Sequence, residues 1–283
     1  MRRHHFTTRT ASHNRVAFTL LELLIVISII ALLAALLTPA LYAVFTRTKE
    51  ARVRAEITGL ENALNDFKGH YKTDYPPSSI KLYENKAGWD SDPAARKAIR
   101  RIFGLEFNFN TPRAWIGGGA TGRTLNGSEC LVFFLGGRPQ LSGSTWILHG
   151  FSKSKADPFK LGGSNRIQFF TEFAPDRLSD NDGDGFPEYN DIFNEPSRQR
   201  PYLYASTTRT GAYVAGDLAP SGMTSVYHQG SASNPWKKGA FQIISPGQDH
   251  SYGTGGSYTE EDGAPRNGER DNLTNFASGV LGP

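Results

Sequence analysis

One cysteine, Cys130, stands alone in 283 residues, so no disulfide can form within the chain. Net charge is also absent once the first residues are set aside. Arg2, Arg3, Arg9 and Arg15 account for the formal charge of +4, and the remaining 27 basic side chains are matched by 27 acidic ones. The alkaline balance belongs to residues 1–17 and gives no argument for a nucleic-acid partner. Catalytic signatures are missing too. The sequence contains no HExxH, no GxSxG and no P-loop, and His149, His228 and His250 lack metal-ligand spacing. Gly117-Gly118-Gly119-Ala120-Thr121-Gly122 matches GxGxxG in form. It lacks the long helix and the acid about twenty residues on that dinucleotide binding needs, so it reads as a loop. These absences point to a protein that is not an enzyme.

What the sequence does have is one long apolar run. From residue 18 to 37 only Thr19, Glu22 and Ser28 interrupt it. Twenty helical residues rise about 30 Å, the thickness of a bilayer's hydrocarbon core, so residues 18–45 predict a transmembrane helix. Glu22 is the anomaly. A carboxylate in hydrocarbon costs about 2.5–3.5 kcal/mol on insertion scales, so it either finds a partner or snorkels to the nearby interface. Pro39 predicts a kink or local melting. Beyond it Val53, Ile57, Leu60, Leu64, Phe67 and Tyr71 recur at spacings of four and three, one continuous helical face over residues 46–72. The stripe is too short for a coiled-coil seam and is expected to pack on a globular body. Arginines and lysines on both sides of the apolar run leave its orientation undecided by charge.

The whole sequence has 30 glycines and 16 prolines, nearly all of them in residues 73–283, which predicts a loop-rich body there. Asp92-Pro93-Ala94 opens a short helix, with Pro93 as its first residue. Residues 128–135 form a second short apolar element, closed by Gly136-Gly137. Residues 201–205 and 240–245 read as strands. Trp89, Trp115, Trp146 and Trp236 are expected in core and loop packing; displayed on a surface, they would instead suit a membrane-tethered ligand- or glycan-binding module.

One loop has metal-ligand spacing. Asp180, Asp182 and Asp184 occupy positions 1, 3 and 5 of an EF-hand-like pattern, with Gly185 at position 6. Glu188 falls at position 9 and Asp191 at position 12, where an EF-hand has a bidentate Glu. No flanking helix pair is evident. The reading is a single calcium loop, against the alternative of a solvated acidic turn.

Ala17-Phe18-Thr19-Leu20-Leu21-Glu22 resembles the class III signal of type IV pilins and type II secretion pseudopilins, with Ala17 where Gly is usual. The resemblance implies that residues 1–17 are a leader removed by a prepilin peptidase, which then methylates Phe18. It implies that Glu22 pairs with the N-terminal amine of a neighbouring subunit during assembly. It further implies a pilin-like α+β fold, in which the long helix packs on a small antiparallel sheet. Its partners would be further copies, other pseudopilins and an inner-membrane assembly platform, with the head in the periplasm. Residues 241–254 and 271–276 resemble the closing strand and loop of the major pseudopilin, whose loop binds calcium. By that resemblance Asp249 and Asp271 are ligands, with Glu261 or Asp262 beside them. Residues 78–200 then form an enlarged insertion in the head. A type IV pilus subunit shares the leader and helix but more often has a disulfide in its head.

Overall fold

In the computed structural model the described residues are 19–113, 121–193, 195, 197–264 and 266–282. Ala17, Phe18 and the glycine run 117–119 lie outside them. Two compact units are present, Met1–Thr48 and Lys49–Pro283. Helix α1, Leu20–Tyr71, contributes to both.

Within the first unit, α1 presents leucine, isoleucine and valine side chains all around its circumference, every one exposed. It is the one helix among the described residues long and apolar enough to cross a membrane. Its few polar side chains satisfy themselves. Ser28 Oγ donates to Leu24 O and Thr38 Oγ1 to Ala34 O, both at 2.7 Å, which keeps the hydroxyls paired without water. The helix runs unbroken through Pro39. Proline removes one N–H and frees one carbonyl, a local loss that the adjoining helical turns absorb here.

The second unit is an α+β assembly of short pieces. After α1 come β1 (Ile80–Leu82), α2 (Lys86–Ser91), α3 (Pro93–Phe103), β2 (Arg123–Leu125), α4 (Gly127–Gly136), β3 (Pro139–Ser142) and β4 (Thr145–Leu148). They are followed by β5 (Leu178–Ser179), β6 (Glu188–Tyr189), β7 (Leu203–Ser206), β8 (Phe241–Ser245) and β9 (Leu273–Thr274). Among the described residues the strands form four small antiparallel sheets, β1–β2, β3–β4, β5–β6 and β7–β8–β9, in place of the single small sheet that the pilin resemblance implies. The strands are only two to five residues long, and each pairs with one or two neighbours before the chain turns away.

The stripe on α1 is the floor of the core. Val53, Ile57, Leu60, Leu64 and Phe67 are all buried, together with Trp89, Ile99, Tyr202, Tyr204, Phe241 and Ile243. Residues from 78–200 therefore share one core with α1 and the closing sheet. Trp89 and Trp146 are buried, Trp236 is half-buried and stacks on Phe276, and Trp115 lies outside the described residues.

Beyond Ser128 and Glu129 in its first turn helix α4 is apolar, and all ten of its residues are buried, the signature of a core helix. It packs against β6 and β7. A side chain at Gly127 would place its Cβ 1.9 Å from Tyr204 O, so glycine is what lets the start of α4 approach β7. Asn126 caps the helix in a reciprocal box with Glu129.

Candidate functional site

The acidic loop is the turn between β5 and β6. Pairing of Leu178 with Tyr189 and of Ser179 with Glu188 closes residues 180–187 into a tight excursion. The aspartates shape it. Asp180 Oδ1 accepts the N–H groups of Gly183 (2.8 Å) and Asp184 (3.1 Å), and Oδ2 accepts that of Gly185 (2.9 Å). Asp182 Oδ1 accepts from Asp184 N at 3.2 Å, and Asp184 Oδ1 accepts from Phe186 N at 2.9 Å. Gly185 sits at φ +96°, a region that L side chains rarely adopt, and Phe186 then plugs the loop into the core.

Two carboxylate groupings result. Asp180, Asp182 and Asp184 bring oxygens within 4.8 Å of one another, as their spacing predicts. Asp182 also belongs to a second group, with Glu188 and Glu129, whose oxygens meet the same limit. Glu129 was not a sequence candidate. It sits in the first turn of α4, about fifty residues before the loop, and only 1% of it is exposed. Its Oε2 accepts from Asn126 N at 2.6 Å, while its Oε1 has no hydrogen-bond partner. The Asn-x-x-Glu pattern ahead of an apolar run was the available signal, but it announces a helix cap and not a meeting with a distant loop.

Burial and crowding raise the cost of ionising this group. Burial pushes the Glu129 carboxyl up, and the charges of Asp184, Glu188 and Asp182 push it further. Glu188, also buried, is pushed up to about 8 by desolvation, with Asp182 and Asp180 adding repulsion against the bond from Asn181 N. Burial likewise raises Asp184.

The remaining sequence candidates lie elsewhere. Asp191 is fully buried and accepts from Ser245 Oγ at 2.6 Å, apart from both carboxylate groups. Asp249 and Asp271 do meet, the Asp249 N–H donating to Asp271 Oδ2 at 2.7 Å. Among the described residues no third His, Cys, Asp or Glu completes a cluster with them. Glu261 and Asp262 are on an exposed turn, where Asp262 Oδ2 accepts from Thr259 Oγ1. The carboxylate that organises this closing loop is Glu269, wholly buried. It accepts from the N–H groups of Thr254 (2.8 Å) and Gly255 (3.0 Å) and pairs with Arg266 through Nε and Nη2, both at 2.6 Å.

Glu22 also closes a capping box. Its Oε2 accepts from Thr19 N (2.9 Å) and Thr19 Oγ1 (2.8 Å), while Thr19 Oγ1 accepts from Glu22 N at 3.1 Å. Its other oxygen, Oε1, takes no part in the cap.

No family model matches the chain, no curated protein does, and no solved structure does.

Proposed function

We propose that the chain is a structural subunit, a pseudopilin of the kind that polymerises into a periplasmic filament of a type II secretion system for protein export. The observation that carries the reading is α1: 52 residues, apolar on every exposed face in its first half, acidic in its first turn, and buried along one stripe in its second. Exposed apolar surface of that extent needs lipid or other helices around it. Lipid would hold the subunit in the inner membrane before assembly, and the equivalent helices of neighbouring copies would replace it in the filament. Glu22 fits the same scheme. One carboxylate oxygen holds the helix cap, and the other remains for the amine of an adjoining subunit, because a charge among packed helices needs an opposite charge close by. The leader 1–17 would be cut by a prepilin peptidase and Phe18 methylated, producing that amine.

N-terminal sequencing of membrane-extracted protein tests processing: the expected start is N-methylated Phe18, and a start at Met1 overturns the reading. Glu22→Val tests assembly. The variant is expected to insert and be processed normally but to yield at least tenfold fewer filaments, and normal filaments would exclude the pairing.

A further inference from the structure

We propose that Glu129, Asp182 and Glu188 form a binding site for one calcium ion, which ties core helix α4 to the acidic loop between β5 and β6. Three carboxylates bring oxygens within 4.8 Å of one another, and two oxygens that each lie about 2.4 Å from one calcium ion are at most about that far apart. All the donors are hard oxygens, a set that selects calcium or magnesium over the transition metals.

The acidic loop alone would not justify a site, because its aspartates already have work. Asp180 spends both oxygens on three backbone N–H groups of its own turn, and Asp184 spends one on Phe186 N. Glu129 is different. The residue is 1% exposed, its Oε1 has no hydrogen-bond partner, and its carboxylate lies within 4.8 Å of oxygens of Asp182 and Glu188. Neither lysine nor arginine among the described residues forms an ion pair with any of the three. A buried carboxylate oxygen left unsatisfied beside two other carboxylates costs free energy, and a divalent cation satisfies all three at once.

Room and access are present. A cavity of about 210 Å³ is lined by Asn126, Ser128, Asn181, Asp182 and Glu188, so two of the three donors, Asp182 and Glu188, open onto a space that admits water as further ligands. Asp182 is exposed at its rim and Glu188 is buried in its wall, which gives an ion an entry side and an anchored side. Calcium is favoured over magnesium because the donors come from a glycine-rich loop and a helix end, an irregular set that suits six to eight ligands better than a strict octahedron. The site does not depend on filament assembly.

The test is calorimetric titration of calcium chloride into the full-length protein in detergent micelles, after chelation and dialysis. One site per chain is expected, with calcium raising the melting temperature. Glu129→Gln keeps the helix cap, since glutamine serves in a capping box, and is expected to weaken calcium binding at least tenfold. Glu188→Gln, which keeps an acceptor for Asn181 N, gives a second and independent loss. Asp262→Asn, on the exposed turn, is expected to bind as the parent does. The proposal is overturned if the parent shows no binding heat, if magnesium binds as tightly as calcium, or if both glutamine variants retain parental affinity. A Glu129→Gln protein that fails to fold leaves Glu188→Gln to decide.

Discussion

Arg177 grips Glu56 with two parallel hydrogen bonds, Nη1 to Oε1 at 2.6 Å and Nη2 to Oε2 at 2.8 Å. The same guanidinium donates to Asn190 O and lies over the Tyr189 ring at 4.4 Å, while Tyr202 OH donates to Glu56 Oε2 at 2.7 Å. Arg177 and Asn190 flank the β5–β6 hairpin, so this pair fastens the stem of the acidic loop to the core face of α1. Both partners are mostly buried, with side chains 15% and 27% exposed. Breaking such a pair leaves one charge without compensation. Glu56→Gln is therefore expected to destabilise the protein by about 2–3 kcal/mol, below the figure for a fully buried pair. Thermal or denaturant unfolding in detergent micelles measures it, and a change under about 0.5 kcal/mol would contradict a structural role for the pair.

Asp191 predicts a slope of stability with pH. Burial pushes its carboxyl up to about 6, and the bond from Ser245 Oγ only partly opposes the shift. An acid whose folded value exceeds its unfolded one binds more protons in the native state. Its contribution to stability is then lost as pH rises from about 4 through 6, by on the order of 3 kcal/mol once it is fully ionised. Asp191→Asn keeps an acceptor for Ser245 and removes the ionisation. The variant is expected to flatten the stability profile across that window and to match the parent below pH 4. An unchanged slope would show that Asp191 titrates normally.

Two glycine-to-alanine changes separate close approach from chain entropy. Gly127→Ala puts a methyl group into the backbone of Tyr204, which is fixed in β7 and cannot yield cheaply. A loss of about 1–3 kcal/mol is expected, as for other overpacked sites. Gly59→Ala, on α1, meets nothing within 4 Å and is expected to gain about 0.5–1 kcal/mol from helix propensity. Chemical denaturation of the two variants beside the parent reads both signs.

How much of this was legible in the sequence differed by element. The buried face of α1 was readable because helical periodicity is local: Val53, Ile57, Leu60, Leu64 and Phe67 carry it within fifteen residues. The start of α3 was readable at Asp92-Pro93 for the same reason, the cap and the proline being adjacent. Strands β7 and β8 announced themselves by apolar β-formers. By contrast, β1 and β2 pair across about forty residues, and three-residue strands leave no period to detect. Glu129 was hidden for a related reason. Its cap pattern is local, but its meeting with Asp182 and Glu188 exists only once α4 is buried against β6. In the closing loop the aspartates drew attention, while Glu269, placed at a distance from Thr254 and Gly255, holds the backbone.

That role of Glu269 leads to a local prediction. Its side chain is wholly buried and bonded to two backbone N–H groups and to Arg266, itself about one-third exposed. Glu269→Ala removes the acceptor and leaves those N–H groups unsatisfied, at a cost of about 1–3 kcal/mol for the orphaned donors. The effect should be regional, because Ile243 and Ile244 in β8 keep their ladder bonds to β7. Hydrogen exchange is therefore expected to show the amides of Thr254 and Gly255 at least tenfold less protected, with those of β8 unchanged. Uniform loss of protection across both regions would mean that Glu269 supports the whole fold and not this loop, and unchanged exchange would mean that it anchors neither.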